Sequence, residues 1–160
     1  MEANKEFFDA IRAGDVSQLR VLLKSNPDWL NAKDERGSTP LLLTTYYGHL
    51  EAAKFLLDEG APVDEQDSSG NTALMGVCFK GYEAIAALLV NAGANVNHKN
   101  SMGATSLIYA ATFNKVAIAK LLLEHGAEIN AKDARGNTAL ENAKLQEADD
   151  MIALLENFPK

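Results

Sequence analysis

Apolar positions along the chain fall into short clusters with helical spacing, set apart by polar stretches that contain glycine. Phe7, Phe8, Ala10 and Ile11 share one face of a helix that Asn4 can cap. Gly14 ends it. Asp15, with Gln18 three residues on, then opens a second helix carrying Val16, Leu19, Val21, Leu22 and Leu23. The couplet recurs. Thr39 can cap a helix that Pro40 begins, because proline fits the first helical position, where its missing N–H is not needed. That helix runs to about Tyr47, and Gly48 permits the turn. His49 and Leu50 begin its partner, which carries Ala53, Phe55, Leu56 and Leu57 and ends at Gly60. The pattern predicts pairs of short helices joined by turns in which glycine supplies positive φ.

The couplets keep a fixed spacing. Asp34-Glu35-Arg36-Gly37-Ser38-Thr39-Pro40-Leu41 is followed 33 residues later by Asp67-Ser68-Ser69-Gly70-Asn71-Thr72-Ala73-Leu74. The next copies begin at Asn100 and Asp133, with Gly103-Ala104-Thr105-Ser106-Leu107 and Gly136-Asn137-Thr138-Ala139-Leu140 in step. Leu56-Leu57, Leu89-Val90 and Leu122-Leu123 each precede a Gly-Ala pair. A fixed period of this length indicates a stacked array, because one helix pair cannot bury its own apolar face.

These residues resemble the ankyrin repeat, with its Thr-Pro-Leu-His opening, Gly-His turn, Leu-Leu pair and Gly-Ala-Asp-Val-Asn ending. The resemblance implies an all-α repeat solenoid of helix-turn-helix units with β-hairpin-like fingers. Residues 1–160 are expected to form a single domain. Residues 4–33 are read as an N-terminal cap, 34–66, 67–99 and 100–132 as full repeats, and 133–158 as a C-terminal cap. Lys144, Glu156 and Glu141 stand where inner repeats have small or apolar residues, which suits a face with no further repeat on it. Asn114-Lys115 replaces the Gly-His turn, and asparagine tolerates the left-handed conformation. Gly76 lies inside a helix, and Cys78 takes a packing position.

Charge narrows the class of partner. Among 160 residues, 22 are acidic and 15 basic, a formal net charge of -7. This argues against nucleic acid or an anionic membrane as the main partner and allows a basic protein. The single cysteine cannot form an internal disulfide, and no leader or membrane-length apolar run is present, so a cytoplasmic location is expected. His49, His98 and His125 occupy unrelated repeat positions without metal-ligand spacing. His49 is read as structural, and His98 and His125 as exposed polar residues. Cys78 is read as an inert core residue. No nucleophile, base, phosphate loop or cofactor motif stands out, so no enzyme and no cofactor is expected.

The resemblance implies partner binding on a concave face made of finger tips and the exposed side of each first helix. On this chain the fingers supply Glu35, Arg36, Ser38, Ser68, Ser69, Asn71, Ser101, Met102, Ala104, Ala134, Arg135 and Asn137. The helices supply Tyr46 and Tyr47, Phe79 and Lys80, Thr112 and Phe113. Four of those six helical residues are aromatic in a chain that is 7% aromatic overall. Aromatic rings give large contact area at small entropic cost. The expected function is therefore a protein–protein interaction module, an adaptor, inhibitor or immunity-type protein acting as a monomer. The alternatives are a small-molecule-binding regulator or an enzyme with an unrecognised site, and self-association through the aromatic patch.

Overall fold

The computed structural model describes residues 4–159. The described residues form ten α-helices in five consecutive pairs. These are α1 (Lys5–Ala13) with α2 (Val16–Ser25), α3 (Pro40–Tyr46) with α4 (Leu50–Asp58), and α5 (Ala73–Lys80) with α6 (Glu83–Asn91). Then come α7 (Ser106–Thr112) with α8 (Val116–Glu124), and α9 (Ala139–Leu145) with α10 (Asp149–Asn157). A short 3-10 helix at Pro27–Asn31 follows α2. First helices pack in succession, α1 on α3, α3 on α5, α5 on α7 and α7 on α9. Second helices do the same from α2 to α10. The result is the two-layer all-α solenoid that the period implies.

Helix starts follow the sequence signals with one exception. Thr39, Thr72, Thr105 and Thr138 each accept a hydrogen bond from the backbone N–H three residues on, at 3.2–3.4 Å. Thr138 and Glu141 complete a reciprocal capping box. Asp15 accepts from the Gln18 N–H at 3.1 Å. Asn4 precedes α1 but makes no side-chain cap bond.

The core runs continuously through the stack. Leu56, Leu89, Leu122 and Leu155 are all buried in register. Each contributes about 1.5–3 kcal/mol when fully removed from water. Between first helices, Thr44, Val77, Ala110 and Ala143 form one buried row of small side chains. Thr45, Cys78 and Ala111 form the adjacent row, and Lys144 breaks it. The Thr45 hydroxyl donates back to its own helix, to the Leu41 carbonyl at 2.9 Å.

Turns between paired helices explain where glycine is needed. A Cβ on Gly48 would stand 2.9 Å from the Tyr82 ring, and one on Gly81 3.0 Å from the Lys115 side chain. The residue that begins each second helix thus lies across the previous repeat's turn. Asn114 adopts the same left-handed conformation, φ 56°. One repeat later the crossing position holds the short Ala148. Glu147 also has positive φ, 53°, at the turn position that Gly48, Gly81 and Asn114 hold in the earlier repeats.

Candidate functional site

Four fingers project from one edge of the stack. In each, the first side chain closes the turn: Asp34 Oδ1 accepts from the Arg36 and Ser38 N–H groups, both at 2.9 Å. Asp67, Asn100 and Asp133 repeat the arrangement. A single backbone bond ties each finger to the next. The N–H groups of Ser68, Ser101 and Ala134 donate to the carbonyls of Arg36, Ser69 and Met102 at 2.9–3.1 Å. The finger residues are therefore held in a regular row.

Glu35, Arg36, Ser68, Ser69, Met102 and Arg135 are all exposed on that row. Ala104 is not. It is buried under the finger, where its N–H donates to Asn100 Oδ1. The sequence reading that placed Ala104 on the binding face is corrected on this point.

The helical part of the surface is aromatic and accessible. Tyr46, Tyr47, Phe79 and Phe113 are 40%, 43%, 45% and 38% exposed, so none is a core side chain. They form two groups. Tyr46 and Tyr47 meet edge to face, with centroids 6.1 Å apart. The Lys80 ammonium sits 4.9 Å from the centre of the Tyr46 ring, within cation–π range. Phe79 meets Phe113 edge to face at 4.7 Å, and Phe113 stacks on Tyr109 at 6.2 Å. Thr112 is half-buried, and its hydroxyl donates back to the Ile108 carbonyl at 2.8 Å.

Between the two groups lies a concave pocket of about 430 Å³. Arg36, Ser38, Tyr46, Tyr47, Asn71, Phe79 and Phe113 line it, so the structure brings these seven expected residues together. Glu35 borders a separate polar depression with Asp9 and Lys33. Ser68, Ser69, Ser101, Met102, Ala134 and Arg135 line neither.

Two contributors were missed by sequence reasoning. Tyr109 was not named from the sequence, yet it lines the pocket, and its hydroxyl accepts from Asn100 Nδ2 at 2.8 Å. Leu145 is 67% exposed and continues the row of Tyr46, Phe79 and Thr112 by the 33-residue spacing. That spacing was the signal that could have found Leu145, whereas Tyr109 falls in step with Leu43, Gly76 and Asn142, which gave none.

The titratable groups carry structural duties. Burial pushes the Cys78 thiol up to about 12, opposed only in part by its contact with Ser106. A thiol so protonated is no nucleophile at neutral pH. His49 Nε2 lies 2.7 Å from the Arg12 carbonyl, which ties the second repeat to the first. It begins α4 without a side-chain cap bond. His98 is half-buried rather than exposed, with Nε2 2.9 Å from the Gly70 carbonyl. His125 is exposed and bonds within its own helix. Asn97 joins neighbouring repeats, accepting from Glu128 N–H and donating to the Gly126 carbonyl. Among the described residues, no group of three or more His, Cys, Asp or Glu side chains could hold a metal ion. No helix there is long and apolar enough to cross a membrane.

Comparison with known proteins agrees with this architecture. The ankyrin-repeat family model matches three overlapping stretches, residues 7–100, 52–133 and 92–158. The DNA-binding protein RFXANK of Homo sapiens is 40% identical over 48 residues, 30% of this chain and 18% of that protein. Protein fem-1 homolog C of Danio rerio is 37% identical over 62 residues, 36% of this chain and 10% of that protein. Ankyrin repeat domain-containing protein 29 of Danio rerio is 36% identical over 64 residues, 40% of this chain and 21% of that protein. The chain therefore spans about a fifth or less of the length of these relatives. With the family model covering residues 7–158 and the helix pairs stacked at the matching period, the chain belongs to the ankyrin repeat family.

Proposed function

We propose that this chain binds a partner protein through its concave face, at the aromatic surface of α3, α5 and α7 and the adjoining finger tips. One observation carries the reading. Tyr46, Tyr47, Phe79 and Phe113 remain exposed and side by side, although the stack is already closed without them. Exposed contiguous apolar area of this kind marks interaction surfaces. Aromatic residues are enriched in the energetic centres of such interfaces. The finger bonds and the buried rows hold the surface rigid, so little freedom is lost on binding.

Arg36, Lys80, Met102 and Arg135 extend the contact area, with Glu35, Ser68, Ser69 and Thr112 as its polar parts. The surplus of acidic residues over the whole chain favours a partner of net positive charge and disfavours nucleic acid. The molecule acts as a monomeric adaptor, inhibitor or immunity-type protein, with no chemistry of its own. Hydrogen exchange on the complex with a captured partner tests this reading. Protection is expected along the first helices and finger tips. Protection confined to α4, α6 and α8 would overturn it.

A further inference from the structure

Asp67 leaves one carboxylate oxygen without a hydrogen bond, beside a helix position that lacks a side chain. Its Oδ1 closes the finger turn, accepting from the Ser69 and Asn71 N–H groups at 2.9 Å. Among the described residues nothing donates to Oδ2. The two later repeats show where the second side-chain atom points. Asn100 Nδ2 donates to the Tyr109 hydroxyl at 2.8 Å, and Asp133 Oδ2 accepts from Asn142 Nδ2 at 3.3 Å. Both partners lie nine residues on. Nine residues after Asp67 comes Gly76. The missing side chain leaves the 430 Å³ pocket open, with Asp67 and Gly76 in its lining. A Cβ at Gly76 would meet only the Tyr46 ring, at 3.5 Å.

The rest of the lining defines the occupant. Tyr46 stands on one side, Phe79 and Phe113 on the other, so the body of the occupant is apolar and flat. Arg36 borders the pocket and Lys80 covers the Tyr46 ring, which disfavours a cation. Asp67 disfavours an anion. Asn71 Oδ1 is taken by Asn100 Nδ2 at 2.8 Å, which leaves the Asn71 amide N–H groups to donate. The polar end thus offers one acceptor, Asp67 Oδ2, and donors on Asn71 and Arg36. A neutral ring whose tip both donates and accepts matches this set, and among side chains that is the phenol of tyrosine.

We propose that the pocket between α3, α5 and α7 takes a tyrosine side chain of the partner protein. The phenol hydroxyl donates to Asp67 Oδ2 and accepts from Asn71 or Arg36, while the ring packs among Tyr46, Phe79 and Phe113. This rests on the concave-face reading and names what that face selects.

The test uses the full chain, labelled with nitrogen-15 and titrated with N-acetyl-tyrosine amide or N-acetyl-phenylalanine amide. The probes differ by one hydroxyl. Resonances from Asp67 to Gly76 should shift with both, and the tyrosine probe should bind about tenfold tighter, the worth of one hydrogen bond to a charged acceptor partly open to water. Asp67→Asn keeps the turn, because Asn100 makes the same bonds in the next finger, but it puts a donor where Oδ2 was. It should erase the preference and spare the phenylalanine probe. Gly76→Leu fills the pocket with the residue that Leu43 already is at this helix position. It should abolish both responses, with unchanged helical circular dichroism. Equal affinity for the two probes, tighter binding of N-acetyl-arginine amide, shifts that survive Gly76→Leu, or no shift at the highest soluble probe concentration would overturn the proposal. If the probes fail while Tyr47, Phe79 and Phe113 remain necessary for partner capture, the pocket assignment falls and the concave-face reading stands.

Discussion

Lys144 and Glu156 pair with each other across the outer face of the last repeat, Nζ to carboxylate oxygen 3.9 Å. In inner repeats the same two positions hold Thr45, Cys78 and Ala111, all buried, and Leu57, Val90 and Leu123. Two charges replace packing side chains where no repeat of this chain packs on them.

The pair is exposed on both sides, so it contributes little. Lys144→Ala should change stability by no more than about 0.5 kcal/mol. Ala111→Lys puts the same residue type into a buried row without a partner. It should cost about 3 kcal/mol or more. Urea melts of the two variants check this. Similar losses would mean that the last helix pair is not a terminal cap.

The crossing of Tyr82 over Gly48 makes a second prediction. Gly48→Ala and Gly126→Ala both force alanine into a left-handed conformation, at φ 81° and 90°. Each carries a cost of about 1–2 kcal/mol from that alone. Only Gly48 also meets a side chain, the Tyr82 ring, while Gly126 has nothing within 4 Å. Gly48→Ala should therefore cost more than Gly126→Ala. Replacing Tyr82 by Ala should remove most of the difference, and a double-mutant cycle measures it.

Cys78 gives stability a pH dependence. Its folded-state value, about 12, lies above the ordinary 9.0. The folded chain therefore keeps a proton that the unfolded chain loses. This contribution is fully present below pH 9 and falls away as pH rises toward 12, by about 1.4 kcal/mol per pH unit. Cys78→Ala should lack that component while showing the same loss from other groups. Thiol labelling should be slow in the native state and fast in urea. Matching pH profiles for the two proteins would contradict the assignment.

The fold was legible because its determinants are local and periodic. Threonine caps, turn glycines and the Leu56 register each recur at 33 residues, and each can be read without knowing what lies across the stack. Contacts between repeats were less so. Nothing in the order of residues places His49 Nε2 on the Arg12 carbonyl, or Asn100 between Asn71 and Tyr109. Those bonds depend on how far one helix pair is displaced from the next. The exposed rings were legible because aromatics cluster at two repeat positions in a chain that is only 7% aromatic. The pocket was not, because it arises from an absent side chain at Gly76, which read only as a weak point in a helix. Ala104 was misplaced because exposure falls from the finger tips toward the helix that follows, so that Ser38, Asn71 and Asn137 at the same repeat position are half-buried.

The most direct measurement of the central claim replaces Tyr47, Phe79 and Phe113 by Ala, singly and together. Both the stability in urea and the capture of the native partner are then recorded. Since the three rings are exposed, single losses should stay within about 1 kcal/mol, the Phe79–Phe113 contact included. The triple variant should remain folded and lose capture, while Lys120→Ala on α8 retains it. Stability losses of about 2–5 kcal/mol, as for truncated core side chains, with capture intact in the folded protein, would contradict the account and make these rings part of the scaffold.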